Sequence, residues 1–493
     1  MNGHKPTSDK KLYALYCLIA AVWVCQAWFS EGFYHPDEHF QIIEFAQWKL
    51  GLATEKSVPW ELHECIRPTL QPVLCAGLLQ IFRIMGIDSP FTLAFLLRVF
   101  AGIVSATAIG YYIKSNRRSV PRQSMGVLIA VSYLLWFLPA VDVRFSSEVM
   151  SGASLAFLTA LLVSGQNQER GRVFFYGVGA LGALAFELRY QTAFGLLGLF
   201  LWGVLVRKWR LRAVLELSGG FLGSVAACTA LDMWFYGKAI FAPYNYFKVN
   251  ILDGVAAGFG TSPWYWYGEK ILVGPTILIG VMIAAALLFA FCRHWRHPSL
   301  WLLAAFLIGH SFVSHKELRF LFPVINFVPL LLVWSYESLK KRKRIAAYTL
   351  AAVFVGVNTI GLAMMVTKPA NYGKGRMMRI VAERCASDTP PEAVYFGPDC
   401  SPFTVSSLEV SFYKPVNLPE RSYYTDVDAH VHASDTDLTG RGVVLTKDDF
   451  VRGRYMESRG LLRSATCMPD WIDWLNKFYN VYDPHWSMAY YED

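Results

Sequence analysis

The chain has 493 residues, of which 54% are hydrophobic, 15% aromatic and only 17% charged, and its mean hydropathy is positive. Soluble domains carry about 25% charged residues, so this composition excludes an ordinary water-soluble enzyme. A net charge of +9 would suit nucleic acid, but the basic residues fall in short loops between apolar runs, where they read as a topology signal.

Runs long enough to cross about 30 Å of hydrocarbon predict spans at roughly 12–30, 92–113, 125–140, 149–165, 173–188, 191–206, 213–231, 271–292, 299–313, 320–336 and 345–367. Lys5, Lys10 and Lys11 precede the first run, which sets the N-terminus inside and the loop that follows outside. No small-residue cleavage site follows that run, so it reads as a retained span and not a signal peptide. The basic loops "KSNRRSVPR", "QERGR", "RKWRLR", "RHWRH" and "KKRKR" then fall on one side by simple alternation. The stretch "IRPTLQPVLCAGLLQIFR" would break that alternation if it crossed, and its two prolines and flanking arginines suit a re-entrant or interfacial helix.

Residues 368–493 follow the last span. Patches such as "EAVYFG" and "RGVVLT", separated by Pro, Gly and Asp turns, predict a small mixed α/β or β-rich cap. The expected division is therefore 1–367, a transmembrane domain whose outer loop covers about 31–68, and 368–493, an extramembrane domain. Nine cysteines show no metal-ligand spacing. Five sit in apolar runs, while Cys65, Cys385, Cys400 and Cys467 are candidates for pairing in an oxidising compartment. The absence of any Asn-x-Ser/Thr sequon leans towards a bacterial inner membrane.

The polar constellations gather opposite the basic loops. In "FYHPDEHFQ" (33–41), Pro36 suits a first helical turn and places Asp37 and Glu38 near a helix N-terminus, where the dipole favours the ionised form and so a base. His35 would orient that base or tune it; plain capping and interfacial solvation is the alternative. In "SHKELRF" (314–320), His315, Lys316 and Arg319 suit a phosphate anchored in lipid, against ordinary headgroup snorkelling. Arg144 and Glu148 are spaced i, i+4 where a span begins, and Arg189 lies just past the end of another. Charges at such depths mark functional sites by default, although a structural Arg144–Glu148 pair serves equally well. Asn245, Tyr246 and Trp264, in "PYNYF" and "SPWYWYGEK", supply an amide and aromatic faces for a sugar, or form an interfacial aromatic belt. "DVD" (426–428) and "DTD" (435–437) hint weakly at a metal-bound nucleotide sugar, but no phosphate-cradling Gly-rich loop accompanies them. No cofactor motif is present, and a divalent cation is left open.

At "HPDEHFQ" and "HKELRFLFP" the chain resembles the multi-spanning mannosyltransferases of glycosyltransferase family 22, which include GPI mannosyltransferase III and the enzymes that elongate lipid-linked oligosaccharide. "PWELHECIRP", "RFSSE", "ELRYQT", "LDMWFYGK" and "YNYFKVN…GFGTSPWYWY" extend the likeness, in order, through residues 30 to 330. The resemblance implies a GT-C fold of about 11–12 membrane helices and a polyprenyl-phosphate sugar donor of the dolichyl-phosphate-mannose type. It also implies a glycolipid acceptor, a lumenal or periplasmic active site, and inversion to an α-mannoside. It puts Asp37 in the role of base, with Glu38 beside it, and adds Glu61 and Arg67 to the substrate-binding candidates. The chain departs from the family pattern at "RFSSE", which lacks an asparagine, and at "RYQT", where Arg-Pro-Thr is common; both leave the acceptor open. Two rival classes are a lipid or sugar transporter and a non-catalytic assembly factor. A transporter usually shows internal repeats and midplane ionisable residues, and neither is seen.

Overall fold

The computed structural model describes residues 6–164, 171–397, 399–422, 442–448, 454, 456–458, 460–477 and 487–492. The "DVD" and "DTD" motifs lie outside the described residues. The chain divides into two compact units. One comprises Met1–Ala27, Glu61–Leu74 and Leu97–Met365, the other Trp28–Trp60, Cys75–Leu96 and Val366–Asp493.

The first unit is a helical bundle, and the chain is a polytopic membrane protein. Among the described residues, seven helical stretches are long and apolar enough to span, and Leu70–Ile84, Tyr190–Leu205 and Pro298–Phe312 are shorter apolar helices. All eleven predicted spans fall on helical segments, but three of them are interrupted. The 125–140 run splits into Met125–Leu134 and Phe137–Asp142. That break exposes a carbonyl and an N–H where no water is at hand, so both need protein partners. The amide of Asn358 supplies them, donating to the Leu134 carbonyl at 2.8 Å and accepting from the Trp136 N–H at 2.8 Å. The 271–292 run is cut into Trp266–Val273 and Ile277–His294, with Thr276 at φ +73° between them. The 320–336 run starts as a 3-10 helix, Leu318–Phe327, and becomes α-helical only at Val328–Arg342. Pro323 and Pro329 each remove a backbone donor there, which disfavours a regular α-helix through that stretch.

Close helix contacts use small residues, as they do where no hydrophobic gain drives association within lipid. A Cβ on Gly179 would come within 2.0 Å of the Leu217 carbonyl oxygen, and one on Gly198 within 2.2 Å of that of Trp301. Leu70–Ile84 has 15 residues, roughly 22 Å of helix, short of the hydrocarbon thickness.

The second unit contains the expected small sheet, in the order β4-β1-β5-β7-β6. These strands are β1 (Ala393–Phe396), β4 (Glu420–Ser422), β5 (Gly442–Lys447), β6 (Leu462–Thr466) and β7 (Met488–Glu492), while β2 (Thr404–Val405) and β3 (Leu408–Glu409) form a separate hairpin. β1 runs parallel to β4 and β5; β7 is antiparallel to β5 and β6. Ala393, Tyr395, Val444, Met456, Leu461, Ala489 and Tyr491 make its core. Helix Lys374–Cys385 packs backbone to backbone on the turn at Gly32. There φ is +85°, and a side chain would meet the Gly375 Cα at 3.3 Å. Arg379 of that helix pairs with Glu31 at 2.6 Å and lies over the Phe91 ring.

The four cysteines considered for pairing are all free. The sulfur of Cys65 faces the Leu62 carbonyl, and that of Cys467 accepts from the Met488 N–H at 3.2 Å, so local hydrogen bonds hold both in place.

Candidate active site

In the second unit, the opening motif folds as the residue types predict and then divides into two parts. Pro36 starts a short helix, Pro36–Glu38, capped by His35, whose Nδ1 accepts from the Asp37 N–H at 3.2 Å. The same Nδ1 lies 3.5 Å from Asp37 Oδ1, and both side chains are partly exposed, at 34% and 24%. Glu38 accepts from the Tyr34 N–H at 3.1 Å. The chain then widens into a π-helical turn, His39–Glu44. Here His39 Nε2 meets Glu44 Oε1 at 2.9 Å with both side chains wholly buried. Phe33 and Tyr413 stack on the His39 ring, at 5.1 and 5.5 Å between centroids. Glu44 also accepts from the Ser411 hydroxyl at 2.7 Å and the Phe412 N–H at 3.0 Å. His39 and Glu44 therefore fasten the 411–413 segment, whereas His35, Asp37 and Glu38 stay within reach of water.

In the first unit, a cluster of charges forms at the helix ends. Glu148 lies in the first turn of Ser147–Ser164 and is buried. Its Oε1 pairs with Arg189 Nη1 at 3.0 Å and with Arg319 Nη1 at 3.1 Å. Arg319 also forks onto Glu317, with Nε at 2.5 Å and Nη2 at 3.1 Å from the two carboxylate oxygens. Both guanidiniums lie over the Phe320 ring, at 5.1 and 5.4 Å from its centroid. His315 Nε2 contacts Glu317 at 2.9 Å and its Nδ1 the Gly260 carbonyl at 3.0 Å. Lys316 Nζ donates to the Ser262 carbonyl at 3.0 Å and to that of Val313. Burial holds the Lys316 ammonium below the usual lysine range.

One expectation needs correction. The helix begins at Ser147, so the helical i, i+4 spacing does not apply to Arg144 and Glu148. Arg144 is buried in the turn before it.

A second group adjoins this cluster through aromatic rings. Arg67 Nη2 lies 3.5 Å from Glu61, and its guanidinium sits 5.8 Å from the centre of the Tyr246 ring. Tyr246 packs edge-on against Tyr190, the neighbour of Arg189. Asn245 donates to the Cys65 carbonyl at 3.4 Å. Trp264 is 73% exposed and packs edge-on against Tyr265. Residues not expected from the motifs hold this group in place. Asp232 Oδ1 accepts from the Thr69 N–H at 2.9 Å and its hydroxyl at 2.6 Å, and Tyr236 donates to the Arg67 carbonyl at 2.8 Å. Their one-turn spacing on a single helix was the only hint the motif "LDMWFYGK" carried.

Among the described residues, no group of three or more His, Cys, Asp or Glu side chains is placed to hold a metal ion.

A model of the Alg9-like mannosyltransferases matches residues 14–408, a span that takes in the 33–44 motif and the charged groups of the first unit. The chain belongs to the Alg9-like mannosyltransferase family. Relatives in that family include GPI mannosyltransferase 3 of Yarrowia lipolytica, 28% identical over 69% of this chain. Mannosyltransferase APTG1 of Arabidopsis thaliana is 26% identical over 68% of it. The chain spans 66% and 59% of the lengths of these two proteins. It is also 24% identical to GPI alpha-1,2-mannosyltransferase 3 of Danio rerio, over 81% of this chain and 74% of that one. Among solved structures, ArnT from Cupriavidus metallidurans bound to undecaprenyl phosphate covers 98% of both chains, with a TM-score of 0.53 at 11% identity. At that identity the likeness speaks for the fold alone, which is GT-C.

Proposed function

We propose that this chain transfers a mannosyl residue from a polyprenyl-phosphate donor to a lipid-linked glycan resembling a GPI precursor, with inversion to an α-mannoside. Residues 1–367 would be the catalytic transmembrane part and 368–493 an extramembrane domain. The active face is lumenal in the endoplasmic reticulum, or periplasmic if the host is bacterial. The observation that carries this reading is the pair of buried guanidiniums, Arg189 and Arg319, sharing the single carboxylate of Glu148.

The chemistry then needs few parts. A lipid phosphate is already a good leaving group, so no nucleotide is required. Asp37 takes the proton of an acceptor hydroxyl while that oxygen bonds to the anomeric carbon. The bond from that carbon to the phosphate oxygen breaks, and the electron pair leaves with the polyprenyl phosphate. Proton removal by a placed carboxylate contributes about 10²–10⁴-fold. Arg189 and Arg319, with His315 and Lys316, hold the phosphate as its charge grows. His35 and Glu38 orient Asp37, and tethering both substrates to one bilayer raises their effective concentration. Arg144, Asn245, Tyr246 and Trp264 are assigned to the sugars of the acceptor.

The test is to incubate the purified protein in lipid nanodiscs with labelled polyprenyl-phosphate-mannose and a glycolipid acceptor. Label should appear in the acceptor, and Arg319→Gln should cut the rate by about 10²-fold, the usual loss on removing one charge-stabilising donor. Donor that crosses the bilayer without sugar transfer would instead establish a transporter.

A further inference from the structure

A second cation-rich feature lies at the other end of the first unit's bundle. The helical stretch Leu318–Arg342 carries Arg319 near one terminus and Lys341 and Arg342 at the other. Beside that far terminus is a cavity of about 360 Å³, bordered by the end of Ile277–His294 and by the 119–121 turn. Its rim carries Arg293, Lys341 and Arg342, all exposed. None of the three forms an ion pair with a described carboxylate. The one carboxylate in the lining, Glu337, is already engaged: it accepts from the Ser124 hydroxyl at 2.5 Å and pairs with Lys340 at 3.3 Å.

One side of the cavity is aromatic and apolar and is held in place. His294 stacks flat on Trp334, with centroids 4.1 Å apart and planes 12° from parallel. His297 meets the same indole edge-on, and Trp334 Nε1 donates to the Ser119 carbonyl at 3.2 Å. Phe289 and Val333 continue that wall down into the apolar helices. A contrast comes from the "RKWRLR" loop, where Arg212 is paired with Glu216 at 2.9 Å and Arg207, Lys208 and Arg210 lie exposed. Basic residues between membrane helices often serve only as topology signals, but such residues do not need a cavity with a braced aromatic wall.

We infer that this cavity binds the phosphate of an anionic membrane lipid, with the headgroup among Arg293, Lys341 and Arg342 and the acyl chains along the Trp334 face. Each basic residue near an anionic surface favours it by about 1 kcal/mol, so loss of all three should weaken binding by at least about tenfold. Charge complementarity and the continuation of the wall into the hydrocarbon level favour a lipid phosphate over a free one. The site is separate from the candidate active site and independent of the reaction proposed there.

The experiment uses the full chain, purified and reconstituted in nanodiscs of phosphatidylcholine with and without phosphatidylglycerol. Native mass spectrometry counts retained phosphatidylglycerol, and the thermal midpoint is followed in parallel. Wild type should retain that lipid and melt higher with it. The triple variant Arg293→Gln, Lys341→Gln, Arg342→Gln should retain at least about tenfold less while melting like wild type in pure phosphatidylcholine. A matched triple variant in the other basic loop (Arg207→Gln, Lys208→Gln, Arg210→Gln) should retain the lipid normally. Equal losses in both triple variants would reduce the effect to general surface charge and overturn the site. Inorganic phosphate that raises the midpoint as much as phosphatidylglycerol does would overturn the lipid assignment.

Discussion

Two histidine–carboxylate pairs lie within ten residues of each other, His35–Asp37 and His39–Glu44, and they have opposite fates. The first is partly exposed, with His35 Nδ1 lying 3.5 Å from Asp37 Oδ1 and accepting from the Asp37 N–H at 3.2 Å. The second is fully buried, with Glu44 accepting from three partners. A buried carboxylate whose acceptor positions are filled has nothing left to offer a substrate, and breaking it costs stability. A partly exposed carboxylate at the start of a helix sits where a substrate hydroxyl can reach it. The same residue types thus separate by burial, one pair fastening the fold and the other lying at the surface, where the proposed base would act.

That contrast is sharpest for activity. Asp37→Asn should lower mannosyl transfer by about 10²–10⁴-fold with no change in thermal midpoint, measured on the same purified sample. Glu44→Ala should do the reverse. It should destabilise the second unit by about 3–5 kcal/mol, seen as early proteolysis in the 366–493 region, while surviving folded molecules turn over normally. If Glu44→Ala left the melting curve intact, the fastening role would be lost. Ser411→Ala removes only one of the three donors to Glu44 and should cost about 1–2 kcal/mol, measurable as a lowered unfolding midpoint.

The smallest effect concerns a charge group in the hairpin region. Glu409 accepts from Lys414 at 2.6 Å and Thr54 at 3.0 Å. Burial alone would raise its pKa, but the hydrogen bonds from Lys414 and Thr54, together with the Lys414 charge, bring it below the usual carboxylate range. A depressed carboxylate pKa contributes stability above about pH 4.3, the ordinary glutamate value, and that contribution fades as pH falls through the lowered one. Glu409→Gln should therefore cost about 0.5 kcal/mol at neutral pH, and the gap to wild type should close in acid. A gap that widened on acidification would reverse the sign of this argument.

The sequence made the spans legible because twenty apolar residues in a row have few other uses. Their interruptions were hidden, since averaging hydropathy over a run conceals a break at Leu135 that Asn358 repairs by binding Trp136, 222 residues away. Arg319 and Arg189 stood out as local charge placed where charge is expensive, and Asp37 as a carboxylate one residue after the proline that starts a helix. Glu44 could not, because inside "FQIIEF" it resembles any helix glutamate until Ser411 and Phe412 arrive from the far end of the chain. Asp232 and Thr69, 163 residues apart, escaped for the same reason. The helical spacing of Arg144 and Glu148 was over-read, because the helix starts three residues later than that spacing assumed.

The central claim is that the Asp37 carboxylate itself accepts the acceptor's proton. It is tested most directly by chemical rescue: transfer by Asp37→Ala measured in nanodiscs with increasing formate, beside Glu38→Ala under the same conditions. Formate should restore part of the turnover to Asp37→Ala and add nothing to Glu38→Ala. Near wild-type turnover by Asp37→Ala with no formate present would contradict the assignment.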